Sequence, residues 1–262
     1  MKKIMLLILT VLLTFTVSAC GDGENTSNKN IASNQVNDGV NYKVNKETYN
    51  EGSISISYPQ ISELGDSSKE STVNQILKEE AIKGVNYFNG KENVKVMQIN
   101  YVIMLKHNDI ISVKYTGVGM AKNSSEPINM IYSTNVNIKN GTKIRLKNML
   151  SIDKNFLEIF RESSYKSLNP NKDYDWDDRN REAIESTPDG SLIEKLTNSD
   201  ILDDIESKNP DHVFCYLKNN TITIAIKTEH DLGDVAEFEI LTENIPKKMR
   251  INNDIWNIIE SD

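Results

Sequence analysis

The stretch Ile128-Asn129-Met130-Ile131-Tyr132-Ser133-Thr134-Asn135-Val136-Asn137-Ile138-Lys139-Asn140-Gly141-Thr142-Lys143-Ile144-Arg145-Leu146 reads as two β-strands folded back on one another. Residues 128–138 are rich in β-branched and aromatic side chains, and the apolar pattern resumes at 143–146. Asn-Gly between such runs is the strongest short hairpin signal, because both residues tolerate positive φ. Working upstream, residues 94–105 and 110–118 are two further β-rich runs separated by the turn-like His107-Asn108-Asp109. Ile54, Ile56 and Tyr58 alternate with serines and end at Pro59, the pattern of a half-buried strand.

Helical spacing appears where these runs stop. Val73, Ile76, Leu77 and Ala81 lie on one side of a helix that Ser67 or Ser68 can cap. Downstream, residues 153–168 predict a helix with Phe156, Leu157, Phe160 and Tyr165 on its apolar side, capped by Ser151 or Asp153. A second helical stretch spans 191–205 with a break near Asn198. Runs at 213–217, 221–226 and 235–241 complete the pattern, the first two joined by Lys218-Asn219-Asn220. Strands and helices do not alternate strictly, so the expected class is α+β: an antiparallel sheet with long hairpins and packed helices, not a doubly wound parallel sheet.

The N-terminus predicts where the chain resides. Lys2 and Lys3 precede an apolar run at 4–17, then Ser18 and Ala19 lead to Cys20: a signal peptide with its three regions in order. Val17-Ser18-Ala19-Cys20 resembles the lipobox of bacterial lipoproteins, which implies a signal peptide at 1–19, lipidation of the Cys20 thiol, and anchoring to the extracytoplasmic face of the cell membrane. Several acyl chains, at about 0.8 kcal/mol per methylene, hold a protein on a membrane stably where one is marginal. Residues 20–45 read as the lipidated cysteine and a flexible linker, too polar and aperiodic to bury a core.

About 215 residues follow, enough for one large domain or two small ones. Without Lys2 and Lys3, 28 of the 30 basic residues face 38 acidic ones. That balance disfavours nucleic acid and favours cationic partners. Cys215 is the one cysteine left after lipidation, so no intramolecular disulfide is expected, and alternation places it on a strand face with Val213 and Leu217 as a buried structural thiol. Sequence alone leaves open whether His212 or His230 approaches it.

The order strand, helix and long hairpins, with an asparagine-rich strand at 132–138 and Asn140-Gly141-Thr142-Lys143 beyond it, resembles the tandem of the domain families DUF 4163 and DUF 3298. A later glycine-containing segment, Asp231-Leu232-Gly233-Asp234-Val235-Ala236, fits the same pattern, and the resemblance covers roughly residues 42–245. It implies a DUF 4163-like segment at 46–150 and a DUF 3298-like segment at 151–262. The group includes the extracellular region of RsiV-type anti-sigma factors, which bind lysozyme, and the non-catalytic part of PdaC-type peptidoglycan deacetylases, so the resemblance implies binding at the cell wall and not an enzyme. Relatives carry a Gly-Ala-His type turn where this chain reads Gly119-Met120-Ala121-Lys122-Asn123, and that histidine's role does not carry over. Direct sigma-factor control is not expected.

Motifs for chemistry are sparse. His107, His212 and His230 sit in no zinc pattern, so neither metal nor cofactor is expected. Ser163-Ser164-Tyr165-Lys166 matches the Ser-x-x-Lys of penicillin-recognising enzymes, but its companion elements are absent. Asp173, Asp175 and Asp177 mimic the first ligands of a calcium loop, yet Asp178 stands where glycine is needed and Ile184 where glutamate is needed. The carboxylates therefore read first as a solvated acidic loop; with Tyr174 and Trp176 they are also the candidate contact patch for a cationic protein or for sugar rings, although packing of the two aromatics onto the domain beneath is the preferred reading. The expectation is a membrane-tethered binding lipoprotein recognising a cationic envelope protein such as lysozyme, or peptidoglycan. A hydrolase with a carboxylate site invisible in sequence and a purely structural lipoprotein are the alternatives.

Overall fold

A computed structural model describes residues 40–167, 176–203 and 209–261; the side chains of 164–167 and 176–180 are not among what it describes. Cys20 and the signal peptide lie outside these residues. The strands are β1 (Lys43–Glu51), β2 (Ile54–Ser62), β3 (Val94–Lys106), β4 (Ile110–Ala121), β5 (Ile128–Asn137), β6 (Thr142–Ile144), β7 (Ser164–Ser167), β8 (Phe214–Lys218), β9 (Thr221–Lys227) and β10 (Val235–Leu241). The helices are α1 (Ser67–Ile82), α2 (Lys154–Arg161), α3 (Trp176–Ser186), α4 (Asp189–Thr197) and α5 (Asn253–Ile259).

Two sheets result, ordered β1-β2-β3-β4-β5-β6 and β7-β10-β9-β8. All pairings are antiparallel except β2 with β3, where α1 carries the chain across the sheet as a parallel connection demands. The class is therefore α+β, as the pattern of runs predicts. The Asn140-Gly141 hairpin is present with a longer turn than a two-residue loop: Asn137 pairs with Thr142, and Gly141 carries the positive φ of 64°.

Alternation along β4 and β5 separates two interfaces. Val113, Tyr115, Met130 and Tyr132 face α1, which buries Val73, Leu77 and Ala81 against them. Tyr115 and Tyr132 stack at 4.8 Å, and their hydroxyls donate to the carbonyls of Leu77 (3.3 Å) and Ala81 (2.7 Å). Burying each such aromatic is worth about 1.5–3 kcal/mol. The opposite face carries Ser112, Ser133 and Asn135, all nearly inaccessible, and meets β8. A bulge in β3 between Ile103 and Leu105 turns Leu105 to this second face, opposite Ser112, so Ile103 and Leu105 serve different cores.

β8 is an edge strand whose outward main-chain groups are taken up by side chains. The carbonyl of Cys215 accepts from Ser133 Oγ and Asn135 Nδ2 (2.9 Å), its N–H donates to Asp200 Oδ1 (2.6 Å), and the N–H of Leu217 donates to Ser112 Oγ (2.9 Å). Buried peptide groups require partners, and this strand finds them without a neighbouring strand. Beneath the small sheet, Phe156 and Phe160 of α2, Leu192 and Leu196 of α4 and Trp256 of α5 close the second core.

Four local expectations are corrected. The helix from 153 stops at Arg161 and the chain re-enters extended structure as β7, with Tyr165 opposite Phe238; the apolar spacing that continued to Tyr165 serves a strand instead. Asp66, not Ser67 or Ser68, caps α1, accepting from Lys69 N at 3.0 Å. β2 runs on through Pro59 to Ser62, because its pairing with β3 ends at Ile56 and no N–H is required of Pro59 on that side. Trp176 and Asp177 open a helix, α3, not a loop; acidic residues in a first turn suit the helix dipole. Asp153 caps α2 as expected, accepting from Phe156 N at 3.1 Å.

Candidate functional site

A cleft of about 810 Å³ lies between the C-terminal half of α3, the end of β9 and the turn entering β10. Its size falls in the range of ligand sites. Ile128, Ile226, Leu232, Ala236 and Phe238 supply apolar lining, and Glu182, Asp211, Glu229 and Asp234 supply carboxylates. Lys195 also borders it but is tied to Asp211 at 3.0 Å. The hydroxyl Oγ1 of Thr228 on its wall is enclosed and has no hydrogen-bond partner among the described residues.

A tight turn builds the cleft's charged corner. Residues His230–Leu232 form a single 3-10 turn that Gly233, at φ 96°, reverses into Asp234, itself left-handed at φ 70°. This brings the two ends together: His230 Nδ1 lies 2.8 Å from Asp234 Oδ1. The second carboxylate oxygen of Asp234 accepts from Asn129 N (2.7 Å) and Asn129 Nδ2 (3.0 Å), so the carboxylate is fixed and buried. On the other side of the ring, Nε2 faces Glu126 Oε2 at 3.4 Å, from the connection between β4 and β5. The hydrogen bond to Asp234, with that carboxylate's charge, raises the His230 pKa above its ordinary 6.5.

The other titratable groups singled out in the sequence have structural surroundings. Cys215 is fully buried, its thiol 3.2 Å from Asp200 Oδ2, and burial followed by the Asp200 charge pushes its pKa well up. Val213, Cys215 and Leu217 do share the face of the second core. A thiol held protonated is a poor nucleophile. His212 packs edge-on against Tyr87 with centroids 3.9 Å apart, and burial lowers its pKa to about 3. His107 accepts the N–H of Asp109 at 3.1 Å within its turn. Ser163 Oγ donates to Phe160 O at 2.6 Å, and the chain passes from helix to strand before Lys166, so the helical turn that Ser-x-x-Lys relies on is missing.

Of the acidic, aromatic patch, Asp173, Tyr174 and Asp175 lie outside the described residues, while Trp176 and Asp177 begin the helix whose later residues wall the cleft. Sequence reasoning passed over His230 and Asp234 as a pair. The signal was the spacing His230-x-x-Gly233-Asp234, where a glycine before the carboxylate permits the reversal. Among the described residues no three His, Cys, Asp or Glu side chains converge as metal ligands, and no helix is long and apolar enough to cross a membrane.

The class defined by these elements is an α+β module of two sheets, the smaller docked by its edge on the larger. The same fold occurs in the crystal structure of a DUF3298 family member from Bacteroides fragilis: 12% identity, 84% of this chain and 98% of that chain covered, TM-score 0.50. A DUF3298 family protein from Pseudomonas aeruginosa aligns at 7% identity over 81% of this chain and 94% of that one, with a TM-score of 0.38. No protein-family model and no curated protein matches the chain. At 12% identity the likeness is one of fold.

Proposed function

We propose that this chain is a non-enzymatic binding protein of the cell envelope, held on the extracytoplasmic face of the membrane by a lipid on Cys20, which captures a cationic protein. A lysozyme-like enzyme is the most concrete partner. The observation that carries the reading is the cleft, where Glu182, Glu229 and Asp234 border an apolar lining and outnumber Lys227, Lys195 being neutralised by Asp211, a setting that suits a basic side chain with an aliphatic stem. The formal charge of −8 adds long-range attraction that speeds capture of a basic partner. At the cleft's corner the imidazole is flanked by two carboxylates, Asp234 and Glu126, which add to the attraction for a cation. The signal-like N-terminus supports the location, and the resemblance to lysozyme-binding modules supports the partner.

The test is titration calorimetry of the full chain in mild detergent against hen lysozyme, at low and physiological salt. Saturable binding that survives physiological salt and weakens when Glu182 and Glu229 become glutamine is expected. A complete absence of saturable heat at low salt would sink the reading.

A further inference from the structure

We infer that the position between Glu126 and Asp234, occupied by the His230 imidazole, is the seat for one lysine or arginine side chain of the captured protein, for which a proton on His230 competes. The inference rests on the capture reading above. Asp234 is the fixed half of the seat: one oxygen is held by Asn129 and the other faces His230 Nδ1 at 2.8 Å. Glu126 is the open half, with a side chain 70% exposed, and His230 Nε2 lies 3.4 Å from it. The ring is itself 54% exposed on the cleft border, so an incoming cation pairs first with the open Glu126 and takes the place beside the buried Asp234 when the ring swings out to solvent. Ile128 and Leu232, which line the same cleft, offer apolar surface for the stem of that side chain.

The charges around the ring set the direction of the competition. Glu229, Asp231 and Asp234 come from its own turn and Glu126 from the β4–β5 connection, while Lys227, Lys195, Asp211 and Glu182 lie farther round the cleft. Acidic groups predominate, so the site attracts either a proton or a ligand cation. Below the His230 pKa, which is raised above 6.5, the imidazolium fills the seat from within. Above it the ring is neutral, Glu126 loses its cation, and the site gains one net negative charge. Affinity for a basic ligand therefore rises with pH through that pKa, and binding to the protonated form expels a proton.

The experiment is calorimetry of the full chain with hen lysozyme as probe, at constant ionic strength and pH 5.5, 7.0 and 8.5, in buffers of differing ionisation heat. Kd is expected to tighten about tenfold from the lowest to the highest pH, with proton release where His230 is protonated in the free protein. Glu126→Gln weakens binding at pH 8.5 and flattens the pH dependence. His230→Asn also flattens it, which separates the effect from titration of the lysozyme. In the ligand-free protein, Glu126→Gln lowers the His230 pKa measured by NMR. Binding that ignores both pH and Glu126→Gln overturns the inference and leaves capture standing; no binding at any pH overturns both.

Discussion

Asp200 grips Cys215 twice, taking its main-chain N–H at 2.6 Å on one oxygen and its thiol at 3.2 Å on the other. The same carboxylate accepts from Leu146 N (2.9 Å) and Ser199 Oγ (3.0 Å), and its residue sits at φ 62°. It thereby fastens the edge strand of the small sheet to the chain leaving the large one.

Replacing Asp200 by alanine strands two buried N–H groups and removes a side chain type that tolerates left-handed backbone at this position. The expected loss is about 3–5 kcal/mol, against roughly 1–3 for asparagine, which keeps one acceptor and tolerates that backbone. Urea unfolding of the two variants measures the difference, and equal losses would refute it.

His212 makes stability depend on acidity. Its folded pKa is about 3 while an unfolded histidine stays near 6.5, so between those values the unfolded chain holds a proton that the folded one refuses. The contribution is intact above 6.5 and is lost as pH falls toward 3, by roughly a few kcal/mol. His212→Asn suits the positive φ of 46° at this position and removes the proton. Subtracting its unfolding free energy from that of the parent across this range should leave a slope of that sign.

Two glycines test opposite limits. A β-carbon on Gly117 would overlap the carbonyl of Gln98 in the neighbouring strand, so Gly117→Ala forces β3 and β4 apart and is expected to cost about 3 kcal/mol or more. Nothing lies within 4 Å of a β-carbon on Gly190 in α4, and Gly190→Ala should stabilise by roughly 0.4–1 kcal/mol. Thermal melts of both read the contrast.

Lys114, Glu237 and Tyr216 form a buried triad between the sheets: Lys114 Nζ and the Tyr216 hydroxyl both reach Glu237 Oε1, at 2.6 and 2.7 Å. Lys114→Met abandons a buried carboxylate and is expected to cost about 3–5 kcal/mol, whereas adding Glu237→Leu should recover most of it. A double-mutant cycle by chemical denaturation settles whether the pair is coupled in this way.

The β5–β6 and β8–β9 hairpins were legible because their turns carry Gly and Asn where left-handed backbone is needed, at Gly141 and at Asn220. The edge strand β1 was not, since most of its residues are exposed and its composition continues the polar linker; it begins at Lys43, just after the buried Tyr42. Helix α3 has no apolar period in Trp176-Asp177-Asp178-Arg179-Asn180-Arg181, so nothing in that pattern announced it. The candidate site was the least legible part. Its carboxylates belong to distant segments, and the pairing of His230 with Asp234 depends on a reversal that only backbone geometry reveals.

The side chains that saturate β8 also bear on how copies of this protein meet. An open sheet margin is ordinarily where one molecule adds its strands to the next, and growth of that kind has no natural end. Here Ser112, Ser133, Asn135 and Asp200 already hold the peptide groups a newcomer would need. Crowding many copies on a surface therefore offers them no purchase along this margin.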